Sequence, residues 1–160
     1  PPGWCLPESA AMDVSVRAPS SASDWKNYYD LRWRILRAPW QEGGRDRDET
    51  DDISIHRMVC TTGNRVVAVG RLHRLEDGRG QIRYMAVEPG YQRQGMGSLV
   101  LEALESAALE GDMQIVILNA REGALPFYLH RGYKVIEPSF LLFDEIQHYL
   151  MSKSLPDNAG

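Results

Sequence analysis

The sequence predicts an α/β (α+β) protein with a mixed, mostly antiparallel sheet of six to seven strands flanked by helices. Strand-like runs separated by turn signals follow one another over residues 53–87. Residues 98–110 carry apolar side chains at helical spacing, and residues 114–118 contain an apolar run typical of a strand buried on both faces. These patterns predict the order β-α-β-β-β-α-β-α-β-β.

The first predicted elements are a strand at residues 13–17 and a helix that begins near Ser21 or Ser23 and runs to about residue 37. Either serine could cap this helix, and Pro39 ends it because proline cannot continue a helix. The apolar face of the helix is formed by residues at three- and four-residue spacing, namely Trp25, Tyr28, Tyr29, Trp33 and Leu36. The acidic segment at residues 41–52 predicts either a solvated loop or a lip that attracts a cationic substrate.

Three strands at residues 53–61, 65–75 and 81–87 are expected to form an antiparallel meander, because the turns between them are short. The turn signals are Thr62-Gly63-Asn64 and Asp77-Gly78-Arg79-Gly80.

The second half begins with a helix at residues 98–110, which ends at Gly111, and a strand at residues 114–118. A strand-helix-strand order over residues 81–118 requires a crossover and therefore a parallel pair of strands. The remaining predicted elements are a helix at about residues 123–131, a strand at 133–136, a loop at 140–146 and a last strand at 147–154.

Length and composition are typical of one globular domain, since 43% of the 160 residues are hydrophobic and 25% are charged. We expect the domain at residues 12–155, with residues 1–11 as an added or upstream tail before Met12 and residues 156–160 frayed. The net charge of −4 and the pI near 5.6 argue against nucleic acid as the main partner. Two cysteines provide no disulfide framework, and no apolar run approaches the roughly 18 residues of a membrane span. We therefore expect a cytoplasmic protein that binds neither nucleic acid nor membrane.

A glycine-containing loop, Gln92-Arg93-Gln94-Gly95-Met96-Gly97-Ser98, lies between a predicted strand and a predicted helix. Backbone N–H groups at a helix N-terminus lack intrahelical partners and favour phosphate. The loop lacks the lysine and Ser/Thr of a P-loop and the G-x-G-x-x-G spacing of a dinucleotide fingerprint. The alternatives are a site for another phosphorylated ligand and an ordinary turn with a helix cap.

The Gln-x-x-Gly-x-Gly pattern of this loop resembles the acyl-CoA pyrophosphate loop of the GNAT superfamily of N-acetyltransferases. The segment Leu118-Asn119-Ala120-Arg121, followed by Ala-x-x-Phe-Tyr-x-x-x-Gly-Tyr at residues 124–133, resembles the second cofactor-binding segment of that family. Residues 145–151 resemble its closing strand. The two main motifs occur in the family's order over residues 81–136.

The resemblance implies that the fourth and fifth strands splay apart and that acetyl-CoA lies in the wedge between them. The backbone of the fourth strand would pair with the pantetheine arm, and N–H groups of the glycine loop would hold the pyrophosphate. The implied cofactor-binding residues are Met85, Ala86, Val87, Gln92, Arg93, Gln94, Gly95, Met96, Gly97, Ser98, Asn119 and Tyr128.

Tyr128 is also the implied general acid, since its hydroxyl could protonate the departing CoA thiolate. The alternative is a core aromatic residue. The resemblance does not identify the general base, because Gln81 occupies the position where several family members carry a glutamate. The other candidates are Glu88, His73, Asp144, Glu145 and His148. His56, His73 and His130 lack metal-ligand spacing, so no metal is expected.

The predicted function is N-acetyl transfer from acetyl-CoA to a primary amine of an unidentified small molecule or peptide. Trp33, Glu88, Phe140 and His148 are the candidate substrate contacts. Acidic residues in the two loops at 41–52 and 140–146 would fit a cationic acceptor, whereas aromatic residues would fit a flatter amine. Two alternatives remain, a non-catalytic acyl-CoA-binding or sensing domain on the same fold and a nucleotide-binding domain on another fold. Homodimerisation is common in the family.

Overall fold

The computed structural model describes residues 13–36, 50–142 and 144–156. The predicted tails, the helix stop at Pro39 and most of the acidic segment lie outside the described residues. The strands are β1 Val14–Arg17, β2 Ile55–Thr61, β3 Val66–Arg74, β4 Gly80–Val87, β5 Ile115–Arg121, β6 Lys134–Leu142 and β7 Ile146–Ser154. The α-helices are α1 Ala22–Leu36, α2 Met96–Glu110 and α3 Leu125–Leu129, and 3₁₀ turns lie at Asp51–Ile53, Pro89–Tyr91 and Glu122–Ala124.

The described strands form one sheet in the order β1-β2-β3-β4-β5-β7-β6. β2, β3 and β4 form the antiparallel meander that the short turns predict. β1 is also antiparallel to β2. β4 and β5 are parallel, which confirms the crossover through α2. β7 lies between β5 and β6 and is antiparallel to both.

The helices α1 and α2 cover opposite faces of the sheet. Tyr28 and Leu31 of α1 belong to a core cluster with Val69 and Ala86, whereas the buried face of α2 packs on the other side of the strands. Successive side chains of a strand point to opposite faces, so one strand supplies both cores. The helix α1 is capped at Ser21, whose Oγ accepts a hydrogen bond from the Asp24 N–H at 3.0 Å.

The predicted loop at residues 140–146 is wrong, because β6 continues to Leu142. Phe140 therefore lies in a strand, opposite His148 of β7. Pro138 sits in this strand next to a register shift. Since β6 is the edge of the sheet, the missing N–H of proline interrupts no further ladder.

The parallel pairing of β4 and β5 covers only residues 80–82 of β4 and 116–118 of β5. Both strands then continue without pairing to each other, which confirms the predicted splay. A bulge accompanies the separation, because Tyr84 has a φ of 61° and the β3–β4 register shifts between Val69 and Arg71. Gly70 lies inside this shift, and a Cβ there would come within 2.6 Å of Val100 Cγ1. Glycine therefore lets α2 pack closely over the bulge.

A buried ion cluster joins α1, β3 and the 3₁₀ turn before β2. Asp51 Oδ1 lies 3.0 Å from Arg32 Nη1 and 3.2 Å from Arg71 Nη1, and all three side chains are at most 1% exposed. Arg32 Cζ lies 3.8 Å from the ring centroid of Tyr84, in the bulge. The expectation of an acidic substrate lip is wrong for Asp51, because its carboxylate faces the two buried guanidinium groups.

We expect Asp51→Asn to lower the free energy of unfolding by about 3–5 kcal/mol, because it leaves two buried guanidinium groups without their shared carboxylate. Urea denaturation measures the change. Asp112→Asn is the matched control, since Asp112 is exposed with a φ of 61° that asparagine tolerates, and it should change the free energy by no more than about 0.5 kcal/mol. Equal stabilities of the two variants would contradict the structural role of the cluster.

Candidate active site

The splayed ends of β4 and β5 open a cavity of about 480 Å³, here called the cleft. Its wall includes residues 81–85 of β4 and 118–121 of β5, together with Tyr128 of α3, Phe140 of β6 and His148 of β7. A larger cavity of about 810 Å³ lies against the start of α1 and β2. None of the predicted catalytic or cofactor-binding residues lines it, so the cleft is the candidate active site.

The β5-facing edge of the β4 backbone has no strand partner beyond Ile82 within the described residues. Glu88 N–H donates to Val67 O at 2.8 Å, on the β3 side. Because backbone groups alternate along a strand, those of Met85 and Val87 point the other way, where no described strand pairs with them. The Gln92 side-chain amide donates to Val87 O at 3.4 Å. Ala86, also predicted to bind cofactor, instead pairs with Val69 of β3 and has a buried side chain.

The glycine loop forms the N-terminus of α2. Gly95 is the N-cap residue with a φ of 85°, and Arg93 has a φ of 65°. Leu99 N–H makes the first helical bond, to Gly95 O at 3.1 Å, so the N–H groups of the preceding turn lack intrahelical partners. Met96 contributes only backbone here, since its side chain is 5% exposed in the core. A Cβ at Gly97 would lie 3.3 Å from Phe127 Cζ, so glycine lets α3 approach the loop.

Arg131 is a residue at this loop that the sequence analysis missed. Its Nε donates to Ser98 Oγ at 2.7 Å, and its Nη1 donates to Phe127 O at 2.8 Å. The guanidinium carbon also lies 3.9 Å from the centroid of the Phe127 ring. The side chain thus brings a positive charge to the glycine loop from the turn after α3. In the sequence, only the spacing of four residues between Phe127 and Arg131 indicated that these two side chains could lie close together. That spacing could not show that α3 packs against the glycine loop.

Tyr128 projects into the cleft from α3. It is 7% exposed, and burial raises the pKa of its phenol to about 12. Its hydroxyl forms no hydrogen bond within the described part of the chain. By contrast, Tyr133 OH donates to Glu105 Oε2 at 2.8 Å. Tyr128 is therefore protonated at neutral pH and able to donate to a group in the cleft.

His148 lies across the cleft from Tyr128, on β7. Its Nδ1 is 3.0 Å from Ile146 O. Since a carbonyl oxygen only accepts, this contact assigns the proton of the neutral ring to Nδ1 and leaves the lone pair on Nε2. Burial lowers the pKa of His148 below 6.5. Phe140 stacks on the imidazole with ring centroids 4.4 Å apart. His148 is thus a neutral imidazole at pH 7 whose Nε2 can accept a proton.

Glu88 lies outside the cleft. Its carboxylate accepts hydrogen bonds from Arg34 Nη1 and Nη2 at 3.0 and 2.8 Å, it is 8% exposed, and it does not line the cleft. These hydrogen bonds lower the pKa of Glu88 below its usual range. A carboxylate held by a guanidinium is a poor proton acceptor, so the structure argues against Glu88 as the base.

Among the other candidates, Gln81 and Asn119 line the cleft, whereas Trp33, His73, Asp144 and Glu145 do not. Within residues 13–36, 50–142 and 144–156, no group of three or more His, Cys, Asp or Glu side chains could hold a metal ion. No helix of this described part is long and apolar enough to cross a membrane. The cleft thus combines Tyr128, Asn119, Phe140 and His148 of the predicted site.

Comparison with known proteins identifies the family. The model of the acetyltransferase (GNAT) family matches residues 25–133. The uncharacterized N-acetyltransferase YjcF of Bacillus subtilis (strain 168) is 36% identical over 106 residues, which cover 66% of this chain and 74% of that protein.

Solved structures share the fold at low identity. An acyl-CoA N-acyltransferase from Pseudomonas aeruginosa matches with a TM-score of 0.71 and 19% identity, over 90% of this chain and 100% of that chain. An aminoglycoside 6'-N-acetyltransferase complexed with coenzyme A matches with a TM-score of 0.73 and 14% identity, over 91% of this chain and 98% of that chain. The family match and the acetyltransferase relative favour an enzyme over a sensing or nucleotide-binding domain. The chain belongs to the GNAT acetyltransferase family and is an acyltransferase that uses acyl-CoA.

Proposed function

We propose that the protein transfers an acetyl group from acetyl-CoA to a primary amine of a small molecule or a peptide. The observation that carries this proposal is the cleft between the splayed strands, which Tyr128 lines from α3 and His148 lines from β7. A proton donor and a proton acceptor therefore border one cavity. Both groups can accelerate direct attack of an amine on a thioester.

In this proposal acetyl-CoA lies along the open edge of β4. Its pantetheine amides would pair with the backbone of Met85 and Val87 as an added strand does. The backbone N–H groups of residues 93–98 would hold the pyrophosphate at the N-terminus of α2. Arg131 would add positive charge at this end, and Asn119 would hydrogen-bond the pantetheine arm.

The reaction needs no covalent enzyme intermediate. The amine nitrogen forms a bond to the thioester carbonyl carbon, and the carbon–sulfur bond then breaks to release the CoA thiolate. A backbone N–H near Val87 would stabilise the negative charge that develops on the carbonyl oxygen. Tyr128 would donate its proton to the thiolate, and His148 Nε2 would take the proton that the amine loses.

A base is needed because primary amines are protonated at neutral pH. An amine with a pKa of about 10.4 is neutral in only about one molecule in 2,500 at pH 7, a deficit of about 4.6 kcal/mol. The lowered pKa of His148 keeps its ring neutral and available at that pH.

The test is calorimetric titration of the protein with acetyl-CoA, followed by a free-thiol assay with a panel of primary amines. We expect binding of acetyl-CoA and amine-dependent release of CoA thiol. Longer acyl-CoA esters measured in parallel report the acyl preference. Failure to bind any acyl-CoA, or thiol release that no amine accelerates, would overturn the proposal.

Tyr128→Phe should reduce kcat by about 10²- to 10⁴-fold, because it removes the proton that stabilises the leaving thiolate. The dissociation constant for acetyl-CoA should stay the same, since the ring remains in place. The thiol assay and calorimetry measure the two quantities. Tyr133→Phe is the matched control, because its hydroxyl is bound to Glu105 outside the cleft. An unchanged kcat in Tyr128→Phe would reject the general acid.

For His148, we expect kcat/KM, calculated for the neutral amine, to fall as the pH drops through a pKa below 6.5. The direction follows because burial disfavours the charged imidazolium, so the base form persists to lower pH. His148→Gln should remove this acid limb and lower kcat/KM by about 10²-fold or more. His130→Gln, at an exposed histidine outside the cleft, is the control. Persistence of the acid limb in His148→Gln would show that another group is the base.

A further inference from the structure

Arg121 and His148 are neighbours on one face of the sheet. They oppose each other in the β5–β7 register, and opposed residues of antiparallel strands have Cα atoms about 4.5–5.5 Å apart. Leu118 and Met151, three positions away on each strand, pair with each other in the core under α2. Because side chains alternate along a strand, Arg121 and His148 lie on the opposite face, the α1 side of the cleft.

The described wall of the cleft is cationic. Arg83 and Arg121 line it, and no Asp or Glu does so within the described residues. Arg121 is exposed, and no described carboxylate forms an ion pair with it. A cleft lined by charge of one sign attracts a ligand of the opposite sign. Of the two acceptor classes that the sequence left open, a cationic amine would meet no carboxylate on this described wall.

These arginines lie apart from the glycine loop. None of residues 92–98 lines the cleft, whereas Arg131 lies at the loop itself, hydrogen-bonded to Ser98. Arg131 therefore supplies positive charge to the proposed pyrophosphate site, and the positive charge of Arg121 is available to the acceptor amine.

We infer that the acceptor amine carries an anionic oxygen group, a carboxylate or a phosphate, and that Arg121 binds it. A planar guanidinium donates two parallel hydrogen bonds to such a group, which fixes the orientation of the substrate as well as its charge. Arg121 then holds the acceptor beside His148, the proposed base. The inference rests on the proposed function and names the class of acceptor that the same site takes.

The test compares amines that differ only in the second group. One set is 4-aminobutanoate, 4-aminobutanamide and 1,4-diaminobutane, and a second set is O-phosphoethanolamine and ethanolamine. We expect kcat/KM for the anionic member to exceed that of its neutral and cationic analogues by at least about tenfold, since a charge-assisted pair is lost in the analogues. The two sets distinguish a carboxylate from a phosphate.

Arg121→Gln should lower the ratio of kcat/KM for the anionic amine to kcat/KM for its neutral analogue by about tenfold or more. A purely structural role of Arg121 would lower kcat/KM for the anionic amine and for its neutral analogue equally, so a change in their ratio reports binding of the anionic group. Arg121→Lys should restore part of the preference, because it keeps the charge without the guanidinium plane. Arg79→Gln is the matched control, since it removes one positive charge at the β3–β4 turn, outside the cleft.

The dissociation constant of acetyl-CoA, measured by calorimetry on each variant, separates this inference from the proposed function. If the unmodified protein does not bind acetyl-CoA, or if no amine causes thiol release, both the proposed function and the inference about the acceptor are overturned. Acetylation of neutral or cationic amines as fast as anionic ones overturns the inference alone. The same follows if no anionic amine is acetylated, or if Arg121→Gln leaves the preference unchanged.

Discussion

The early end of the β4–β5 pairing is the constraint on which the site depends. After three residue pairs the two parallel strands separate, although both continue. Buried backbone N–H and C=O groups need partners, and within the described chain no strand pairs with β4 beyond Ile82 on its β5 side. A sheet interrupted in this way offers an open strand edge at its centre. That edge is where the proposed pantetheine arm would supply the missing hydrogen bonds.

The separation also opens the site toward both faces of the sheet. On the α2 side lie the helix N-terminus, Arg131 and Tyr128, the groups proposed for the cofactor and its leaving thiolate. On the α1 side lie Arg121, His148 and the stacked Phe140. The two substrates would therefore approach from opposite faces and meet between the strands. Such an arrangement suits direct transfer, because neither substrate must leave before the other reacts.

The bulge that sets the direction of β4 is packed against other elements on both faces of the sheet. On one face, Arg32 packs over Tyr84 and is fixed by Asp51. On the other, the absence of a side chain at Gly70 lets Val100 and the rest of α2 approach closely. A buried ion cluster adds little net stability compared with apolar packing of the same volume. We interpret its role as positional, since it joins α1, β3 and the turn before β2 behind the bulge.

The sequence by itself determined the order of elements and the glycine loop, because each depends on neighbours within about one helical turn or on one short turn. It left Ser21 and Ser23 as alternative caps of α1, and the structure selected Ser21. It also pointed to Tyr128 and His148, through the resemblance of short motifs. Only the tertiary structure decided which partners these residues meet. Glu88 is held by Arg34 from 54 positions away, Arg131 reaches Ser98 across 33 positions, and Phe140 lies in a strand because edge strand β6 tolerates Pro138. Such contacts depend on how elements pack in space, which local spacing does not encode.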